Sequence, residues 1–142
     1  MEHRTFRRIL VGWDGSPSAE TALCAAADLA AGPGGHVVAL AVLATPRHTE
    51  ADEEGAQQLT THRRHVEERF ERLLGRLTVS GDTRLTLQLT EGRRIADALA
   101  HYAADHGFDL IVVGRQGGGG TLHPSQVPRE LAQITPVSLL IV

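Results

Sequence analysis

Apolar runs and helical apolar stripes alternate along the chain. Three runs, at residues 9–11, 37–43 and 110–113, are continuously apolar, which is typical of strands covered on both faces. Residues 84–89 (RLTLQL) instead alternate between polar and apolar positions, so we predict a strand near a sheet edge with one face in water. A fifth strand is predicted where PVSLLIV ends the chain.

Four helices are predicted between these strands. Ser16 and Pro17 supply a capping residue and a first-turn proline for the first helix. The second and third helices have apolar residues at helical spacing, and Gly107 is a C-terminal stop for the third. The predicted bounds are about 17–31, about 56–77, 95 to the stop at Gly107, and about 128–134.

The alternation of strand and helix predicts an α/β fold, with a five-stranded parallel sheet in a single domain of residues 1–142 and helices on both faces. In such sheets, ligands bind beyond the carboxyl ends of the strands, where the winding reverses. Two glycine-bearing segments follow strands there, residues 12–15 after the first and residues 114–120 after the fourth. We therefore expect these segments to flank a ligand site.

The residues of these segments resemble the universal stress protein family. RILVGWDGSPSAETAL is similar to the family's opening strand, aspartate and first helix, and EGRRIADALAHYAADHGFDLIVVGRQGGGG to its third helix, fourth strand and glycine loop. TPVSLLIV is similar to the closing strand. The resemblance implies a Rossmann-like sheet in the order 3-2-1-4-5, a homodimer and, in the nucleotide-binding branch of the family, ATP between strands 1 and 4.

The closing strand also predicts a dimer on its own account. An apolar strand from Val137 to Val142 that ends the sheet presents unpaired backbone groups, which favour pairing with a second copy. The other reading is a short edge that a neighbouring loop covers. We expect the homodimer.

The glycine loop departs from the family's phosphate clamp. ATP-binding members have Gly, two residues, Gly, nine residues, and then Gly followed by Ser or Thr. Gly114 and Gly117 match the first two positions, but the count then reaches Val127-Pro128. Alignment from the C-terminal end places Ser125-Gln126 there instead, and Pro124-Ser125 is a third alignment. None restores Gly-Ser, which predicts a weakened clamp.

Neighbouring residues affect phosphate binding in both directions. Pro128 has no backbone N–H to donate, and as the first residue of the last helix it would start that helix late. Glu130 would then lie in the first turn and repel a phosphate. Against this, the amides of Gly117, Gly118 and the two following glycines can form an anion-binding nest, and Arg115 and Arg129 can supply cations.

The residues expected near the base also match the family only in part. Asp14 matches the family aspartate near the base, and it equally fits a turn residue that accepts a bond from the backbone ahead of it. Gly12 and Trp13 flank the base in the resemblance, and Trp13 can either stack on a purine or pack against a helix. Ala41 falls where the family often has Val in the base pocket. The candidate nucleotide site is Gly12, Trp13, Asp14, Ala41, Gly114, Arg115, Gly117, Gly118 and Ser125.

Composition and charge narrow the function further. A net charge of −3 and a pI of about 6.2 argue against binding to nucleic acid or an anionic membrane. A single cysteine, Cys24, and the absence of a signal-peptide pattern predict a cytoplasmic protein with a buried, inert thiol. His62 and His65 share a helix face, but no acid or cysteine completes a metal site, so we interpret His62 as a residue at the core margin.

The sequence predicts a regulatory dimer in stress response that acts mainly through protein contacts, with nucleotide binding impaired or lost. The alternative is a genuine ATP- or AMP-binding stress sensor that uses the pocket between strands 1 and 4, with Mg²⁺ when a triphosphate is bound. An enzyme is not favoured, because the chain has no Gly-x-Gly-x-x-Gly after its first strand and no Walker loop. Any catalysis would be slow ATP hydrolysis.

Overall fold

A computed structural model describes residues 6–30, 34–44, 53–77, 83–115 and 126–142. Within these residues, strands and helices alternate in one order from β1 to β5. The strands are β1 (Arg8–Gly12), β2 (His36–Ala44), β3 (Arg84–Gly92), β4 (Leu110–Val113) and β5 (Ser138–Ile141). The helices are α1 (Pro17–Leu29), α2 (Glu53–Leu74), α3 (Ile95–Asp105) and α4 (Gln126–Ile134).

The five strands form one sheet in the order β3-β2-β1-β4-β5, and every neighbouring pair is parallel. This confirms the predicted α/β fold and strand order. β1 lies at the centre, where the chain winds first to one side and then to the other. The two edges are β3 and β5, as the alternating pattern of β3 and the apolar closing segment predict.

Helix α1 begins and ends for local reasons that the sequence shows. The Ser16 side chain accepts a hydrogen bond of 3.1 Å from the backbone N–H of Ala19, and Pro17 occupies the first helical position. Small residues such as Ala22 and Ala26 are fully buried, so the helix axis approaches the sheet closely. Leu29 is its last residue, and the Ala30 N–H still bonds to the Ala26 carbonyl at 2.9 Å.

Two helices begin earlier than the sequence predicts. α2 runs from Glu53 to Leu74 rather than over residues 56–77, and it stops where Gly75 bonds back to the Glu71 carbonyl. α4 begins at Gln126, not at Pro128. Pro128 therefore lies within the first turn, where a helix has no internal partner for its N–H groups and a proline costs little.

Each face of the sheet has its own apolar core. On one face, α1 and α2 cover inward residues of the central strands, including Val11 and Val37. On the other face, Leu99 of α3 and Leu131 of α4 pack against Leu10 and Ile111. No buried side-chain nitrogen or oxygen of the described residues lacks a hydrogen-bond partner. None of the described helices is long and apolar enough to cross a membrane.

Gly114 ends β4 at the point where the first turn of α1 crosses it. A Cβ atom on Gly114 would lie 2.7 Å from the carbonyl carbon of Ser18, which is backbone and cannot move aside cheaply. The missing side chain is therefore what lets α1 and β4 meet.

We expect Gly114→Ala to lower the free energy of unfolding by about 1–3 kcal/mol, because the added methyl overpacks a backbone contact. The measurement is urea denaturation of the ligand-free protein. Gly75→Ala is the control, since a Cβ there meets nothing closer than 3.6 Å. Equal unfolding midpoints for the two variants would contradict the crowding at Gly114.

His36 lies in register between two arginines at the amino ends of the strands, Arg8 on β1 and Arg84 on β3. Its ring Nε2 lies 3.1 Å from the hydroxyl of Thr86. Burial lowers the pKa of His36 from its ordinary value of 6.5, and Arg8 and Arg84 lower it further. The folded protein thus binds this proton less readily than the unfolded chain does.

Stability should therefore decline as the pH falls below about 6.5, because the unfolded state takes up the proton first. We expect this decline to be smaller in His36→Gln, which keeps a side-chain partner for Thr86 but cannot titrate. Arg84→Gln should also make the loss of stability at low pH smaller, but by less than His36→Gln does. Unfolding midpoints at several values between pH 5 and pH 8 measure the effect, and identical pH profiles for wild type and His36→Gln would refute it.

Candidate functional site

A cleft of about 170 Å³, open to solvent, lies at the carboxyl edge of the sheet next to β1 and β4. Apolar side chains from β2, α3, β4 and α4 form most of its wall. The lining residues are Gly12, Trp13, Asp14, Leu40, Val42, His62, Ile95, Leu99, Val113, Gly114 and Val127.

Two strand ends contribute backbone rather than side chains to this cleft. A Cβ atom on Gly12 would lie 3.2 Å from Val113 Cγ1 and 3.3 Å from a Leu99 methyl, so any larger residue would narrow the space between β1 and α3. Gly114 lines the same space from the end of β4. The structure thus brings together the two glycine-bearing strand ends that the sequence predicts to flank a ligand.

Asp14 has the turn role that the sequence predicts, and it also lines the cleft. Its Oδ1 accepts a hydrogen bond of 2.9 Å from the backbone N–H of Ser16, which stabilises the turn into α1. Gly15, between them, has a φ of 79°, a conformation that glycine adopts without strain. The half-buried Asp14 side chain also lines the cleft, so the bond to Ser16 orients a carboxylate in the cleft wall.

Trp13 packs against a helix, the second of its two predicted interpretations. Its side chain is 3% exposed, and its ring meets Phe70 of α2 edge-on with centroids 5.9 Å apart. The indole N–H donates a buried hydrogen bond of 2.9 Å to the Val66 carbonyl. With its ring in this core, Trp13 contributes an edge to the cleft wall rather than a free stacking surface.

Ala41 faces away from the cleft. It is 1% exposed and packs in the core under α1 and α2, whereas the next residue, Val42, lines the cleft together with Leu40. Side chains of a strand alternate between the two faces of the sheet, so the predicted base-lining position moves by one residue. The structure places Val42, not Ala41, in the cleft wall.

The loop residues of the candidate site are described only at their two ends. Arg115 is exposed, and its backbone N–H bonds to the Val142 carbonyl at 2.7 Å, but its side chain is not part of the cleft wall. Gly117, Gly118 and Ser125 lie outside the described residues.

The start of α4 opens onto the cleft through Val127. Because the helix begins at Gln126, Glu130 lies beyond its first turn, which contains no acidic residue. Gln126 Nε2 donates a hydrogen bond of 2.8 Å to the Glu130 carboxylate. Two expectations against phosphate binding are therefore wrong: Pro128 does not start the helix late, and Glu130 is not in its first turn.

His62 belongs to the site although the sequence interpretation placed it at the core margin. The structure shows an exposed side chain that lines the cleft opposite β1. The signal was its spacing of four residues from Val66, which put it on the inward face of α2. What the spacing could not show is that this turn of α2 lies beside the end of β1.

Two other sequence alternatives gain no support from the described part of the chain. No group of three or more His, Cys, Asp or Glu side chains there is placed to hold a metal ion. Burial raises the pKa of the Cys24 thiol, as do Asp28 and Glu20, and Arg76 opposes this only in part. A raised pKa keeps the thiol protonated and unreactive.

Comparison with known proteins identifies the family. The family model of the universal stress protein family matches residues 5–142. No curated protein matches the chain. Among solved structures, universal stress protein UspA from Lactobacillus plantarum is similar at 21% identity over 99% of both chains, with a TM-score of 0.84.

Two further similar structures contain a nucleotide. One is a universal stress protein in complex with cAMP, with 22% identity over 98% of both chains and a TM-score of 0.62. The other is the universal stress protein from Archaeoglobus fulgidus in complex with dAMP, with 16% identity over 96% of both chains and a TM-score of 0.61. At these identities the similarity shows the fold, and the family model covers nearly every residue. The chain belongs to the universal stress protein family.

Proposed function

We propose that this protein is a nucleotide-binding member of its stress-response family and that it holds AMP or ATP in the cleft between β1 and β4. The observation that carries the proposal is the cleft itself. Its wall is mostly apolar, as in small-molecule sites, and Asp14 and the backbone of Gly12 and Gly114 lie at its sheet side. Solved relatives with cAMP and dAMP support the same ligand class.

The cleft has two chemically different ends. At the β2 end, Leu40 and Val42 form an apolar surface near Asp14, which suits a base and a ribose. At the opposite end, Val127 in the first turn of α4 lines the cleft together with Gly114, and the positive end of the α4 dipole favours an anion. A nucleotide lying from β2 towards α4 would place its phosphate at that helix start.

The altered loop sequence remains the argument for the second candidate, a dimer that acts through protein contacts with nucleotide binding impaired. No alignment restores Gly-Ser, which favours a weakened clamp. The structure removes the two supporting arguments, because α4 begins at Gln126 and its first turn holds no acid. We therefore favour nucleotide binding, with the phosphate held by the α4 start and the glycine amides.

A homodimer through β5 is part of both candidates. β5 is an edge strand, and Ile141 on it is 39% exposed. The Val142 N–H donates to the Val113 carbonyl on β4, and the Val142 carbonyl accepts from the N–H of Arg115, just after β4. The alternate residues Leu139 and Ile141 therefore direct their backbone groups away from β4. These outward groups are available to a second copy of the strand.

We expect calorimetric titration to show micromolar binding of AMP, and of ATP with Mg²⁺, to the purified protein. Asp14→Asn should weaken binding at least tenfold, because one carboxylate oxygen facing the ligand becomes an amide N–H₂. The amide oxygen can still accept the Ser16 N–H, so the turn is kept. This variant separates ligand contact from folding more cleanly than Asp14→Ala does.

Asp109→Asn is the matched control. Its Oδ2 also accepts backbone N–H bonds, from Arg7 and Arg8, but it lies at the amino edge of the sheet, away from the cleft. We expect it to bind nucleotide like the wild type. No binding of AMP or ATP up to millimolar concentration would refute the proposal and leave the protein-contact dimer.

For the dimer, we expect Ile141→Pro to produce a monomer in analytical ultracentrifugation. Proline removes the outward N–H and is tolerated at an edge strand, while the ladder between β5 and β4 does not use this N–H. Leu29→Lys, which removes a similarly exposed apolar side chain from α1, should remain dimeric. A monomeric wild type, or a dimeric Ile141→Pro, would contradict the β5 interface.

A further inference from the structure

Helix α2 is fastened to the end of β1 at one well-defined point. The Trp13 indole bonds to the Val66 carbonyl at 2.9 Å, and Val66 itself is fully buried. His62 lies four residues earlier, one helical turn away on the same face of α2. The bond at Val66 therefore fixes the position of His62 relative to Asp14, the residue that follows Trp13.

The next turns of α2 confirm how closely this helix covers the β1–α1 turn. A Cβ atom on Gly15 would lie 3.2 Å from His65 Nε2 and 3.2 Å from Arg69 Cγ. His65 thus packs over the turn without entering the cleft, whereas His62 lines the cleft. Two histidines on one helix, three residues apart, have different surroundings.

Asp14 and His62 are the two polar side chains in the described wall of the cleft. A carboxylate only accepts hydrogen bonds, whereas an imidazole has at least one N–H to donate in every protonation state. The wall thus offers one acceptor and one donor beside the apolar residues Leu40 and Val42. This is a donor and acceptor pair, not a cation site.

We propose that His62 recognises the purine ring, donating a hydrogen bond to a ring nitrogen of adenine while Asp14 accepts one from the 6-amino group. The edge of adenine carries an amino donor beside ring-nitrogen acceptors, which complements this pair. Guanine would place its O6 acceptor against the carboxylate. The inference rests on the proposed nucleotide site and names a base-specificity residue within it.

The test is a titration of the full chain with AMP, 1-deaza-AMP and 7-deaza-AMP, each analogue having CH in place of one ring nitrogen. Wild type should bind one of the two analogues about tenfold more weakly than AMP. His62→Ala should bind AMP about tenfold more weakly than wild type and should no longer distinguish AMP from that analogue. His62→Gln, which keeps an N–H donor, should recover part of both effects.

His65→Ala is the matched control, an exposed histidine on the same face of α2 that does not line the cleft. It should bind all three ligands like the wild type. If His62→Ala binds AMP like the wild type, or still discriminates against the same analogue, the role of His62 is refuted while nucleotide binding stands. If wild type binds none of the ligands, the nucleotide site itself is refuted, and the inference with it.

Discussion

The buried hydrogen bond from the Trp13 indole to the Val66 carbonyl joins the end of the central strand to a helix 53 residues away in sequence. Leaving a buried N–H without a partner would cost roughly 1–3 kcal/mol, so this contact strongly favours one placement of α2 on the sheet. The edge-on packing of Trp13 on Phe70 fixes the same placement through shape. The far wall of the cleft, where His62 lies, follows from it.

The near wall depends on side chains that are missing. Gly12 leaves space between Val113 and Leu99, and Gly114 lets the first turn of α1 reach the end of β4. The two glycines therefore act differently, one by keeping the cleft open and the other by bringing a helix start close to it. Since both lie at the carboxyl ends of parallel strands, the fold itself places the cleft between them.

The sequence predicts the fold well because its evidence is local and repeated. Continuous apolar runs mark the inner strands, and Ser16 and Pro17 mark the start of α1. The same evidence is weaker where one residue matters. A continuous apolar run does not show which face Ala41 or Val42 takes, since neither neighbour is polar. Proline is tolerated throughout a first turn, so Pro128 could not fix the start of α4.

In the proposed function, the cleft contacts the base and the phosphates with different parts of the chain, so an altered loop does not affect both. Its described wall comes from strands, helices and the β1–α1 turn, and only Val127 coincides with the Gly-Ser step of the family clamp, in one of the three alignments. On the proposed function, a base bound by Leu40, Val42, Asp14 and His62 keeps its contacts whatever the loop does. Loss of the clamp then lowers the contribution of the outer phosphates, so the affinity difference between ATP and AMP becomes small. A site that contacts the base from α2 and the phosphate from a helix start would discriminate between different bases more strongly than between AMP and ATP.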